Sequence, residues 1–207
     1  DFDKSAMELT TGLKSSVDIA RAGDTGRVLG LDRTLTLLDR YSQSTAVGAL
    51  RLDTTQSALQ SMRTLGKDLS LGILTLVDQD SFQTADIQAE QAVTALQSAV
   101  SNLNTHVAGQ SLFAGAATDT AAVVDAATLQ ADVEAILGAA PDVPTALANI
   151  DFYFNDPTGG YLTASYTGDS QDGPDITIGE GEAVAMTVRA DDPTIREALR
   201  NLSLIAA

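Results

Sequence analysis

Between about Thr25 and Val77 the chain runs for some fifty residues without a proline. Apolar side chains recur through this stretch at heptad-like spacing. Val28, Leu31, Leu35 and Leu38 open the series, and Leu52, Leu59, Met62, Leu69, Ile73 and Leu76 continue it. That spacing predicts a helix with one apolar seam. Gly48, Gly66 and Gly72 interrupt it at about 1 kcal/mol each relative to alanine, which is too little to end it. At about 1.5 Å per residue the unbroken helix would extend roughly 80 Å, whereas the mean globular helix has about 12 residues. A small globular core cannot cover such a length, so the helix must pack along another long helix. The expected fold class is therefore mainly α, a long antiparallel helical rod.

The partner follows directly. Asp78, Gln79, Asp80 and Ser81 break the pattern, and Asp80 with Gln83 reads as a variant capping box. A helix is expected from about Phe82 to Val107, with Ala89, Val93, Leu96, Val100, Leu103 and Val107 alternating by four and three, and Gly109 stopping it. Upstream of the long stretch, Phe2, Ala6, Leu9 and Leu13 suggest a shorter seam. Gly12 weakens it, and residues 14–24 read as a connector.

From Gln110 the pattern changes. Ser111 to Phe113 reads as a short strand, 114–119 as a turn, and Thr120 to Val124 as the return strand of a hairpin. Asp125 caps a helix carrying Leu129, Val133, Ile136 and Leu137, closed by Gly138. Pro141 and Pro144 bracket the start of the next, with Leu147, Ile150 and Phe154 on one face. A turn cluster at 156–160 precedes three expected strands: 161–166, 175–178, and the alternation Val184, Met186, Val188. Asp192 followed by Pro193 starts a last helix with Ile195, Leu199, Leu202 and Ile205 on its apolar face. The expected organisation is a helical rod domain with hairpin over 1–124, a small α+β insert over 125–190, and the start of a returning rod helix over 191–207. The pattern also runs into both ends: the chain opens at Asp1 without Met and stops at Ala207 with no closing Gly, Asn or Pro. It is expected to be a core fragment of a longer protein.

Composition narrows the function classes. Aromatic residues are 4% of the chain and Trp is absent, so the 44% hydrophobic content is mostly Ala, Leu, Val and Ile. That suits helix-on-helix packing better than an aromatic-lined ligand pocket. With 28 acids against 12 bases, the net charge of −16 repels phosphate backbones and anionic membrane surfaces, so neither nucleic acid nor membrane is an expected partner. Without Cys there is neither a disulfide nor a thiolate zinc site, and His106 has no second His to share a metal. No apolar run reaches the roughly 18 residues of a membrane span, and no basic segment leading into an apolar run opens the sequence.

Two stretches carry a family resemblance. Residues 9–24, with Thr11, Gly12, Lys14 and Asp24, are similar to the leucine–serine–glycine–lysine and acidic-pair region of flagellins and hook-associated proteins. Thr11 departs from the usual serine, Lys14 stands one place late, and a single acid remains of the pair. The more discriminating stretch is 102–119. Asn104, Thr105, Gly109, Leu112, Phe113, Ala114, Gly115, Thr118 and Asp119 match the signature of the hook-associated protein 3 family within the flagellin superfamily. The match covers about residues 5–120 and the last helix, while 125–190 corresponds as an insert of suitable position. An ordinary helix–hairpin junction would also use Gly109 and Gly115 for turns and Leu112 and Phe113 for docking; the long seam beside it is what favours the family.

The resemblance implies a structural subunit that joins hook to filament in the bacterial flagellum, secreted and extracellular. Its implied partners are other axial proteins (a hook-side junction protein and flagellin), copies of itself, and an export chaperone. It implies no enzymatic activity and no cofactor. Axial proteins of this kind polymerise through terminal segments that form an inner coiled coil, so the 207-residue chain is expected not to assemble by itself. It is also expected to be less stable than its parent, or to self-associate over an unpaired seam. A flagellin proper and a secreted adhesion or cell-wall-binding module stand as alternatives.

Other clusters read as structural. Gly168, Asp169, Asp172, Gly173 and Asp175 fail the alternating acids and final Glu of a calcium loop and read as a solvated turn. Glu180, Glu182, Asp191 and Asp192 have no nucleophile beside them and read as charged surface and a helix cap. Gly179 and Gly181 read as a hairpin turn. His106 is expected near a helix end, where its partial charge complements the dipole.

Overall fold

The computed structural model describes Met7, Leu9, Thr10 and residues 25–79 and 82–207. Gly12, the seam positions Phe2, Ala6 and Leu13, the connector 14–24 and the cap Asp80 lie outside these residues, as do the side chains of Ile73, Leu76 and Gln83. The order is α1 (Thr25–Gln79), α2 (Phe82–Leu103), β1 (His106–Val107), β2 (Gln110–Ser111), α3 (Ala126–Ala139), α4 (Val143–Asn155), a π-helical turn (Tyr161–Ser165), β3 (Gly173–Gly179), β4 (Glu182–Met186) and α5 (Pro193–Ala206). The fold is mainly helical, with two small antiparallel two-stranded sheets among the described residues.

The proline-free stretch forms a helix of 55 residues. Its many hydroxyls are accommodated because they turn back on the helix: Thr34, Thr45, Thr55 and Thr64 each donate to the carbonyl four residues earlier. Gly72 of α1 lies against the Gln88 side chain of α2, and Asn102 donates to Ser61 Oγ at 3.1 Å. Numbers fall along one helix as they rise along the other, so the two run antiparallel.

The buried face of α1 follows Gly48, Arg51, Thr55, Ala58, Met62, half-buried Leu65 and Leu69, alternating by three and four without a miss. This is a heptad seam, but three of its positions are glycine or polar. It shares Met62 and Leu69, with half-buried Leu59 beside it, with the leucine series read from the sequence. Leu52 stays on the outer face, and Leu31, Leu35 and Leu38 are each more than half exposed. On α2, Leu96, Val100 and Leu103 are buried and Val93 half-buried, as the periodicity required. Ala92, Ala95 and Ala99 are buried as well, because α2 lies between α1 and α5 and is covered on two sides.

One apolar core extends from Met62 and Leu96 through Phe113, Val123, Leu129 and Phe154 to Leu199. It crosses both expected boundaries, at 124/125 and at 190/191. Fully burying residues of this size stabilises by about 1.5–3 kcal/mol each, so the helices after α2 are held by the same core as α2 itself. Their starts match the sequence. Asp125, Asp142 and Asp192 cap α3, α4 and α5 by accepting from Thr128, Thr145 and Thr194.

Three expected elements differ. The first hairpin is β1–β2, with Val107 paired to Gln110 across Ala108 and Gly109, rather than 111–113 with 120–124. Ala108 and Gly109 both have positive φ, 53° and 79°, as a tight two-residue turn requires. Helix α2 therefore ends at Leu103, not Val107. The segment 161–166 is a π-helical turn, not a strand: Tyr166 N donates to Tyr161 O at 2.7 Å, turning Tyr161, Ser165 and Tyr166 inward together. The last two strands form where expected, β3 against β4, with Gly179 paired to Glu182 and Gly181 at φ 74° in the turn. Val188 lies beyond β4.

Candidate functional site

The stretch 102–119 that carries the sequence motif is where α2 hands the chain to the rest of the fold. Asn104 is its anchor. Its backbone N–H still donates to Val100 O at 3.0 Å, continuing the helical pattern for one residue. Its side chain reaches across to the segment before α3: Oδ1 accepts from the N–H groups of Ala122 and Val123, both at 2.9 Å, and Nδ2 donates to Val123 O at 2.8 Å. A carboxamide is the side chain that accepts and donates at one end, so this clamp needs Asn or Gln, and Asn has the shorter reach. From the other side, Val124 N donates to Ser165 O and Thr167 N to Ala122 O, so 122–124 is held between the helix junction and the π-helical turn.

The remaining motif residues complete the crossing. Thr105 O accepts from Leu112 N at 3.2 Å, and Thr118 O accepts from Ser111 N at 2.7 Å. Leu112, Phe113 and Ala114 are buried; Phe113 O accepts from Ala190 N at 2.9 Å, which ties the motif to the entry of α5. Gly115 has φ 62°, and a Cβ there would run into the carbonyl oxygens of Asp169 and Gln171. Asp119 is exposed. His106 lies on β1 rather than on a helix, its ring Nδ1 at 2.9 Å from Asn104 O.

Four of the acidic residues of 168–192, Asp169, Asp172, Asp191 and Asp192, have structural partners. Asp169 N donates to Ala114 O at 2.9 Å, and Asp169 Oδ1 accepts from Gln171 N at 2.8 Å. Arg189 bridges Asp172 and Asp191; the bond to Asp191 comes first among the influences holding its pKa above the ordinary value. Among the described residues no group of three His, Asp or Glu side chains converges as a metal site, and no helix is long and apolar enough to cross a membrane.

Several contacts were not legible as sites in the sequence. Tyr153 Oη lies at 2.6 Å from both Asp132 Oδ2 and Ser165 Oγ, joining α3, α4 and the π-helical turn. Tyr161 is wholly buried and donates to Ala190 O at 2.8 Å; burial first, then the nearby charge of Asp191, pushes its pKa far up. Arg51 is buried on the α1 seam and donates to Gln110 Oε1 at 2.9 Å. Its position within the three–four spacing was the available signal, but a charged residue does not register in an apolar pattern.

The helix-seam positions read from the sequence divide by place. Leu59, Met62, Val93, Leu96, Val100 and Leu103 face the α1–α2 core, fully or in part, whereas Leu31, Leu35, Leu38 and Leu52 face solvent. Every residue from Gly26 to Arg40 is exposed. No protein-family model, curated protein or solved structure matches the chain.

Proposed function

We propose that the chain is a structural subunit of the flagellin superfamily, working by packing against other subunits. Within that class we assign it to the hook-associated protein 3 kind, which joins the flagellar hook to the filament. The observation that carries this reading is the exposed part of α1. Val28, Leu31, Leu35 and Leu38 stand in solvent along one face of a stretch where every described side chain from 26 to 40 is exposed. An apolar row of this kind on a long helix marks an interaction surface rather than a finished exterior. The motif at 102–119 supports the assignment, since its Asn104 clamp and buried Leu112–Phe113 pair make it the joint between paired helices and the parts beyond them.

In this reading α1 and α2 form a long antiparallel rod whose outer stripe meets neighbouring axial subunits, and residues 125–190 lie toward the outside. Quantitative mass spectrometry of flagella purified from the source cells tests it. A few copies per flagellum support the junction role, and thousands transfer the chain to filament flagellin. Absence from flagella, together with binding of the chain to cell-wall glycans, overturns the reading in favour of an adhesion module.

A further inference from the structure

Arg51 is 5% exposed, and among the described residues no carboxylate pairs with it, although the chain carries 28 acids. Its Nη1 donates to Gln110 Oε1 at 2.9 Å, while its Nε is enclosed and meets no acceptor. A guanidinium taken out of water without a counter-charge is costly, and desolvation holds its pKa below the ordinary value.

Arg51 lines a groove of about 490 Å³ between α1 and the start of β3. Arg40, Gln43 and Ser44 stand about two to three turns before it on α1, with Gln110 and Thr177 across from them. Because Gln110 uses its oxygen toward Arg51, its amide N–H groups remain as donors. Asp175 lines the groove too, and no ion pair joins it to Arg51 or Arg40. Two guanidinium groups against one carboxylate leave a local surplus of one positive charge in a chain of net charge −16. That surplus matches a monoanion, and Asp175 disfavours a dianion such as phosphate.

We propose that this groove is a carboxylate-binding site, with Arg51 as the inner partner and Arg40 as the outer clamp. Arginine suits this work because its planar fork meets a carboxylate with two bonds. The carboxylate comes either from a small free acid or from an acidic side chain of a second copy of this chain.

Sodium acetate titrated into the 15N-labelled 207-residue chain, against sodium chloride at equal ionic strength, reads the site through the Arg51 Nε–H signal. Saturable movement is expected, with inorganic phosphate binding more weakly. Arg40→Gln, an exposed change that leaves the core intact, weakens the response about tenfold, and in Arg51→Met, which lacks that signal, the Gln110 side-chain amide signals that follow acetate in the wild type stay unmoved. Sedimentation equilibrium separates the sources: self-association lost in both variants assigns the carboxylate to a second copy, and its absence beside a saturable acetate response assigns it to a free acid. The proposal is overturned if acetate leaves the signal unmoved and wild type and variants sediment alike. Phosphate binding more tightly than acetate overturns it as well.

Discussion

Replacing Asn104 with alanine removes three hydrogen bonds at once and leaves their partners in place. Ala122 is wholly buried and Val123 is 1% exposed, so their two N–H groups and the Val123 carbonyl lose the side chain that satisfied them in a region with little room for water. A buried polar group left unmet costs about 1–3 kcal/mol. Asn104 is itself half-buried, so water reaches one of the three more easily than the others, and the lower end of the range applies. The expected loss for Asn104→Ala is about 3 kcal/mol, a large share of a typical stability of about 5–15 kcal/mol. Urea unfolding monitored by circular dichroism measures it, with an unchanged m-value confirming that the midpoint shift reports stability. Hydrogen exchange supplies a local readout, because the Ala122 and Val123 amides should lose protection before those of α2. Asn102→Ala is the control. It removes one exposed bond to Ser61 at 3.1 Å and should stay within about 0.5 kcal/mol of wild type. A loss below about 1 kcal/mol for Asn104→Ala, or equal losses for the two variants, would refute the clamp as the element that holds the junction.

Gly115→Ala should destabilise by at least about 2 kcal/mol, from a left-handed backbone and a Cβ pressed on two carbonyl oxygens, and thermal melting would show it. At alkaline pH the tyrosines matter. Burial raises the pKa values of Tyr153, Tyr161 and Tyr166 above the ordinary 10.0, so the folded state keeps protons that the unfolded chain releases. Their contribution is therefore full below about pH 10 and is lost as pH rises above it, with wholly buried Tyr161 accounting for about 1.4 kcal/mol per pH unit. Urea midpoints between pH 10 and 11.5 should fall less steeply for Tyr161→Phe than for wild type. Combined Leu31→Ser, Leu35→Ser and Leu38→Ser changes should leave the melting temperature within a few degrees of wild type, since all three side chains are exposed, yet, introduced into the gene of the source cells, abolish incorporation of its product into flagella.

Much of the helical architecture is legible in the sequence. The proline-free run, the alternation from Val93 to Leu103 and the Asp caps of α3 and α5 are local signals, set by spacing and by side chains bonding to their own neighbours. The misread strands share a cause. Tyr161 to Tyr166 has the residue types of a strand, but Tyr161 and Ser165 are drawn inward by bonds to Ala190 and Tyr153, partners 29 and 12 residues away. The return strand at 120–124 failed for a similar reason: Asn104 takes the backbone groups that a hairpin would have paired.

Local signals along the chain specify a helix of unusual length, a second helix to pair with it, and the motif where the second one ends. Periodicity and proline placement act through the backbone within a few turns, and no distant contact is needed to enforce them. Tertiary structure alone decided which face of α1 is buried. The seam passes through Gly48, Arg51 and Thr55 while leucines stand outside, and Ile176 of β3 packs onto Gly48 so closely that an added Cβ would sit 3.0 Å from its Cγ2. Shape at the contact, rather than the hydrophobicity of the helix, set that register.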